Sequence, residues 1–263
     1  MTTHESALLT PAAPQSLFAD VHWRPDRDTV FAVVSYVAVV AALFVAFQVF
    51  TTKRVAANFI TFGPLTLAGL GIAVPVLYTV LVRRQPLEEV GLTTARLVPS
   101  LVLSLVLGWD TYRNTIATLG VSWTRDLVPL VTMVVAVGLF EAIFFRGWLQ
   151  LRFEAAFGLV PGLLLSALCY SLYHVGYGMD LGEMVTLFFL GVTFGAMFRL
   201  TKSVFLLWPF YTPVGGLFSN LSEGLTMPFA ATYGFLITVA IMLGIVVWAW
   251  TLSKRAVQLE GLK

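Results

Sequence analysis

Two titratable side chains lie within long apolar runs of this sequence. Glu141 is the one charged residue between Leu127 and Phe145, and His174 is the one residue between Leu159 and Gly178 that titrates near neutral pH. An acidic group at the centre of a bilayer costs about 2.5 to 3.5 kcal/mol, so such residues normally face the protein interior and mark a site. A carboxylate that deprotonates water, beside an imidazole that donates to developing negative charge, is a minimal apparatus for acyl hydrolysis.

The spacing of Glu141 and His174 predicts that they lie at one depth if their helices form a hairpin. Gly158, followed by Pro161, is typical of a stop and restart between two helices. Each side chain is about 16 residues from this turn, or about 24 Å along a continuous helix. The spacing permits a Glu–His pair without establishing it. A structural hydrogen bond between helices and a proton relay in a transporter are the alternative uses.

The composition indicates a polytopic membrane protein. Of 263 residues, 58% are apolar and 11% charged, and the mean hydropathy is +0.87. Charged residues are absent from Thr29–Thr52, Val55–Val82 and Gly224–Ser253, and each run exceeds the roughly 20 residues that span hydrocarbon. A soluble enzyme is therefore excluded. The net charge of +2, from scattered basic residues, also argues against nucleic-acid binding.

The apolar runs predict an all-α fold, a membrane bundle of about eight transmembrane helices. The predicted spans are Val30–Phe50, Phe59–Val82, Leu97–Leu119, Leu127–Leu151, Val160–Gly176, Glu183–Arg199, Val204–Leu221 and Ala230–Leu252. The third span must include Asp110 and Arg113, which are spaced to pair at i,i+3. Prolines in the second and seventh spans predict kinks, which membrane helices tolerate where neighbours satisfy the freed carbonyls.

Flanking charges predict the orientation and the domain limits. With eight spans, twelve Lys and Arg residues fall on one side and four on the other. The positive-inside rule then places both termini in the cytoplasm, in an integral protein of the cell inner membrane. Residues 1–28 are predicted to be a disordered cytoplasmic tail, residues 29–253 the transmembrane bundle and residues 254–263 a second cytoplasmic tail.

Three motifs resemble those of the CPBP family, the CAAX prenyl endopeptidases and bacteriocin-processing enzymes. The segment from Glu141 to Gln150 resembles the Glu-Glu-x-x-x-Arg motif, with Arg146 as its arginine. Upstream, Glu88–Leu92 resembles a Glu-x-x-Gly-Leu stretch, and downstream Tyr170–His174 resembles a Phe-x-x-x-His motif. The resemblance covers roughly residues 87–221.

This resemblance implies peptide-bond hydrolysis inside the membrane, within a bundle of about eight helices that encloses a hydrophilic cavity. Glu141 would be the base that activates water, His174 the first motif histidine and Asn220 the final motif residue that helps to hold the oxyanion. No cofactor and no metal are predicted, since the chain has no HExxH motif and its other histidines, His4 and His22, lie in the tail.

The sequence departs from the family motifs at two positions. Ala142 replaces the second glutamate, so Arg146 lacks a carboxylate one turn away. With Glu141 at i,i+5, about 140° around an α-helix, we expect Arg146 to extend toward the interface or to find Glu154. No histidine follows His174; loss of an oxyanion donor typically costs about 100- to 1000-fold in rate.

Three functions follow as hypotheses. The first is an intramembrane endopeptidase that acts on a membrane-proximal peptide or membrane protein. The second is a catalytically inactive relative that binds other transmembrane helices as a subunit or assembly factor of a membrane complex. The third is a proton-coupled transporter, which the absence of an apparent inverted repeat disfavours. All three have the lipid bilayer as a partner and none involves nucleic acid.

Overall fold

The computed structural model describes residues 21–50 and 54–260, with side chains described as far as residue 254. All regular structure in these ranges is helical, which confirms the all-α membrane bundle. Most of the predicted N-terminal tail, residues 1–28, and the last residues of the predicted C-terminal tail, 254–263, lie outside the described residues. Lys53, one of the four Lys and Arg residues that the sequence places on the less basic side, lies outside them too.

Within the described ranges the chain forms eight helices, numbered in chain order. They are α1 Arg27–Phe50, α2 Val55–Val82, α3 Leu97–Asn114, α4 Arg125–Phe157, α5 Leu159–Tyr177, α6 Leu181–Thr201, α7 Tyr211–Ser222 and α8 Ala231–Glu260. Six of them are long and apolar enough to cross a membrane, whereas α3 and α7 are not. The polar end of α3, with Asp110 and Arg113, and the twelve-residue length of α7 account for the difference.

The predicted seventh span is broken rather than merely kinked. A short 3-10 turn at Val204–Leu206 precedes α7, which begins only at Tyr211. Pro209 lacks the N–H that a continuous helix would use. Side chains satisfy the neighbouring backbone: the Ser104 hydroxyl accepts from the N–H groups of Phe210 and Tyr211, at 3.3 Å each. In a membrane, the backbone groups freed by a helix break need such alternative hydrogen-bond partners.

Helices α4 and α5 form the predicted hairpin, joined by Gly158 alone. This residue has φ +95°, a region that favours glycine. A Cβ on Gly162 would lie 2.4 Å from the Glu154 backbone nitrogen, so only glycine permits this approach of the two helices. Within α4, the winding is α-helical through Glu141 and π-helical over Ala142–Gln150. The predicted turn and antiparallel pairing are confirmed.

Three ion pairs tie together the end of the bundle where α4 meets α5. Arg83 contacts Asp28 at 2.7 Å, and Arg199 contacts Glu154 at 2.8 Å. The third pair joins Arg152 to Glu89 at 3.3 Å, and the same guanidinium donates to the Glu89 carbonyl at 2.8 Å. These pairs connect α1 to α2, α4 to α6, and α4 to the short segment before α3.

Asp26 caps α1, and we expect Asp26→Ala to lower the free energy of unfolding by about 1 kcal/mol. The Thr29 backbone N–H donates a hydrogen bond of 2.8 Å to the Asp26 carboxylate, and this bond holds the pKa of that carboxyl below its usual range. A lowered pKa means that this stabilisation is present above the ordinary pKa and lost as the pH falls through the folded value. Thermal unfolding of wild type and variant in detergent, from neutral to acidic pH, measures both effects. A constant difference across the whole range would contradict the pH dependence.

Candidate active site

Glu141 is the last residue of α4 before the π-helical segment, and its carboxyl group lies within the bundle. Its Oε1 accepts a hydrogen bond from the Tyr173 hydroxyl of α5. The residue is only partly buried, and in the described part of the chain no hydrogen bond to its Oε2 is present. One carboxylate oxygen is thus held, while the other is available to a water molecule.

His174 is buried at the end of α5, where the helix tightens into a 3-10 turn over Tyr173–Tyr177. Its Nδ1 lies 2.8 Å from the Tyr170 carbonyl oxygen. Because a carbonyl oxygen only accepts hydrogen bonds, Nδ1 carries a proton. In the neutral ring Nε2 is therefore unprotonated and can only accept. The sequence predicts that the imidazole donates to developing negative charge. Nε2 can do so only when the ring takes up a second proton.

Tyr173 contacts both predicted site residues. Its hydroxyl binds Glu141, and its ring centroid lies 4.0 Å from that of His174. No ion pair or hydrogen bond joins Glu141 directly to His174 among the described residues. The hairpin therefore brings the two predicted side chains to one depth, with a tyrosine that links them.

Arg146 lies inside the bundle and is 1% exposed. Its Nη1 donates to the Ser166 hydroxyl at 3.4 Å, and its guanidinium lies 5.0 Å from the Tyr170 ring centroid. The prediction that Arg146 reaches the interface or Glu154 is wrong, because Glu154 binds Arg199 and Gln150 instead. The π-helical winding explains the direction, since residues five apart lie close to one another in a π-helix.

Asn220 is not brought to Glu141. It lies on α7, where its amide donates to the Gly216 carbonyl of the same helix at 2.7 Å. Helix α7 runs antiparallel to α4: Pro213 lies beside Gly138, and Leu217 clusters with Leu130. Leu130 is eleven residues, about 16 Å, from Glu141 along α4. The part of α7 nearest in level to Glu141 is its first turn, which contains Thr212 and Pro213.

Aromatic residues lie around the carboxyl group, and none of them was predicted to be a site residue. Tyr170, Tyr173 and Tyr177 recur at three- and four-residue spacing on α5, a pattern that predicts one helix face. The Phe145 ring packs on Tyr173 at a centroid distance of 4.7 Å. Two cavities, each of about 220 Å³, are lined by other residues. No cluster of three metal-ligating side chains is present in residues 21–50 and 54–254.

We expect Tyr173→Phe to lower the free energy of unfolding by about 1.5 to 3 kcal/mol, because an inward-facing carboxylate loses its hydrogen-bond donor. Thermal unfolding of the purified chain in detergent measures the loss. Tyr233→Phe is the matched control, since Tyr233 is 61% exposed and packs only against Phe229 among the described rings. Equal unfolding temperatures for the two variants would show that the Tyr173–Glu141 bond contributes no stability.

Comparison with known proteins gives a family match over part of the chain. Residues 122–212 match the Type II CAAX prenyl endopeptidase Rce1-like family. Neither the curated proteins nor the solved structures gave a match. The matched residues include Glu141, Arg146 and His174, whereas Asn220 and the Glu88–Leu92 stretch fall outside them. The resemblance is thus confirmed over a shorter region than residues 87–221: residues 122–212 of this integral membrane protein are similar to the Type II CAAX prenyl endopeptidase Rce1-like family.

Proposed function

We propose that this protein is an intramembrane endopeptidase in which Glu141 activates a water molecule to hydrolyse a membrane-proximal peptide bond. The observation that carries the proposal is the inward-facing Glu141 carboxyl group, held through Oε1 by Tyr173 and free at Oε2. It lies within the region that matches the Rce1-like endopeptidases. A carboxylate with one fixed and one available oxygen is suited to hold a water in one orientation.

In the proposed reaction, Oε2 of Glu141 takes a proton from water as the water oxygen attacks the carbonyl carbon of the substrate. The carbon–oxygen double bond opens to a tetrahedral oxyanion. Collapse of this intermediate breaks the carbon–nitrogen bond, and the leaving amine takes the proton from Glu141. Tyr173 fixes the carboxylate throughout through its hydrogen bond to Oε1.

Two groups near Glu141 are suited to stabilise the oxyanion. Nη2 of Arg146 is a buried donor without a hydrogen-bond partner among the described residues, and donors aimed at developing charge are most effective away from water. Nε2 of His174 becomes a second donor when the ring is protonated. Because Ala142 replaces the second glutamate of the motif, Arg146 has no carboxylate partner one turn away. Arg146 would thus supply part of the oxyanion stabilisation for which the chain has no histidine after His174. Asn220 is left out of the proposed site because it lies on α7 beyond Thr212 and Pro213, the residues of that helix that are level with Glu141.

The experiment is a cleavage assay with purified full-length protein in liposomes. The substrates are a farnesylated peptide that ends in a CAAX sequence and the same peptide without the farnesyl group, chosen for the name of the matched family. We expect the wild type to cleave at least one of them and the Glu141→Gln variant to cleave it at least 100-fold more slowly. Cleavage that is independent of Glu141 would overturn the proposal.

The second candidate is a catalytically inactive relative that serves as a subunit or assembly factor. It is favoured by Ala142 at the second motif position and by the placement of both described cavities away from Glu141. In this case Glu141 and Tyr173 would form a structural bond between α4 and α5. Co-purification of one stoichiometric membrane partner in mild detergent, together with no cleavage of either peptide, supports this candidate.

We also propose that both termini face the cytoplasm in a cell inner membrane. The basis is the excess of Lys and Arg at the end of the bundle that contains Arg83, Arg152 and Arg199. Labelling of single cysteines placed near either terminus, by a membrane-impermeant reagent in intact cells, tests this orientation.

A further inference from the structure

A cavity of about 220 Å³ lies between the segment before α3 and the end of α6. Glu141 does not line it, and the proposed hydrolysis makes no use of it. Two cations, one carboxylate, two hydroxyls and one methyl group line it; these belong to Arg96, Lys202, Glu88, Thr93, Thr201 and Ala95. The side chains that line the cavity therefore carry a net positive charge.

The two cations of this cavity form no ion pair with a carboxylate among the described residues. At this end of the bundle Asp28, Glu89 and Glu154 are each paired with an arginine. Neither Arg96 nor Lys202 forms an ion pair in the described part of the chain. Arg96 donates instead to the Leu200 carbonyl at 3.4 Å, which turns its guanidinium toward the end of α6. The surplus positive charge thus faces a common space.

Two buried hydroxyl groups add hydrogen-bond donors. Thr93 is 8% exposed and Thr201 is 6% exposed. The Thr93 oxygen accepts from the Ala95 N–H, and the Thr201 oxygen accepts from the Ser203 N–H, both at 3.3 Å. No acceptor for either O–H proton is present among the described residues. Both hydroxyls are consequently available to donate to an anion.

The cavity is held in place at the boundary of the apolar bundle. Lys202 directly follows the apolar span that ends at Thr201. A bilayer that α6 crosses would therefore have its headgroups at the level of the cavity. The Val204 N–H donates to the Gly91 carbonyl at 3.0 Å and joins the two walls. Below the cavity, Val90 rests on Gly147 of α4. Both walls are therefore anchored.

We propose that this cavity binds the phosphate of a phospholipid headgroup. Arg96 and Lys202 supply the charge, and the hydroxyls of Thr93 and Thr201 donate to the phosphate oxygens. Basic pockets between transmembrane helices at this level are typical sites for anionic headgroups. Glu88 is the one carboxylate among the lining residues, and its negative charge weakens the attraction of the cavity for phosphate.

Titration of phosphatidylglycerol into the detergent-solubilised full-length protein, followed by native mass spectrometry, tests the proposal. We expect Arg96→Gln combined with Lys202→Asn to weaken phosphatidylglycerol binding roughly 10- to 30-fold. Asn is chosen because Lys202 has φ +53°, which Asn tolerates. The matched control, Arg27→Gln combined with Arg84→Asn, removes the same charge from exposed positions at this end and should bind like the wild type. Asn is used at Arg84 for the same reason, since Arg84 also has φ +53°.

Glu88→Gln gives a change of opposite sign, which a folding defect does not mimic. Removal of the negative charge of Glu88 should tighten phosphatidylglycerol binding about threefold. Unchanged binding in both the Arg96/Lys202 variant and Glu88→Gln would overturn the site. Full displacement of the lipid by excess inorganic phosphate would assign the cavity to a soluble phosphate and overturn the lipid assignment. Loss of binding in the Arg27/Arg84 control to the same extent would show nonspecific attraction and overturn it too.

Discussion

Replacement of Glu141 by Gln is expected to lower the rate of peptide hydrolysis at least 100-fold, the range that a general base contributes. Gln has nearly the same size and can still accept the Tyr173 hydroxyl, so the local packing is kept. It cannot take a proton from water at neutral pH. The initial rate of peptide cleavage in liposomes, at a saturating substrate concentration, measures the effect.

Two controls separate chemistry from folding in the Glu141→Gln experiment. Glu223→Gln removes an exposed carboxylate near the end of α7 and should retain the wild-type rate. The unfolding temperature of Glu141→Gln should stay close to that of the wild type. An unaltered cleavage rate in Glu141→Gln would assign the base to another residue. A rate of zero in Glu223→Gln as well as in Glu141→Gln would favour the candidate function of a catalytically inactive subunit.

Gly147→Ala is expected to destabilise the fold by about 3 kcal/mol or more. A Cβ at this position would lie 2.0 Å from the Val90 carbonyl oxygen and 2.7 Å from its carbonyl carbon. Both atoms belong to the backbone, so a rotamer change cannot relieve the clash. The segment Leu87–Val90 would have to move away from α4, which would strain the bond between Arg152 and the Glu89 carbonyl. Thermal unfolding in detergent measures the loss.

Gly215→Ala is the matched control for Gly147→Ala. Gly215 also lies within a helix, but a Cβ there meets no atom within 4 Å. Ala is the better helix former by about 1 kcal/mol, so this variant should unfold at the same temperature as the wild type or higher. A Gly147→Ala protein as stable as Gly215→Ala would mean that the turn before α3 does not pack on α4 as described.

The membrane bundle and the α4–α5 hairpin could be predicted from the sequence because both depend on local features. Charge-free runs longer than the hydrocarbon thickness identify spans, and Gly158 marks the turn between two of them. The equal distances of Glu141 and His174 from that turn follow from helix rise alone. For the same reason the common depth of the two side chains did not require knowledge of their neighbours.

The contacts within the site depended on tertiary structure. Periodicity did not indicate that α4 becomes π-helical after Glu141, and this change of winding turns Arg146 inward to Ser166 and Tyr170. Likewise, the break before α7 sets which of its residues lie level with Glu141, and it leaves Asn220 about two turns further along α7 than Pro213. Winding and breaks depend on which neighbouring groups satisfy the backbone, and those neighbours are distant in sequence.

An acid and an imidazole at one depth inside a helical membrane bundle can therefore be inferred from residue spacing. The link between them through Tyr173 depends on the fold, because the direction of a side chain around its helix depends on local winding and on the packing of the facing helix. Depth is set by the number of residues along a helix, whereas contact is set by rotation about it.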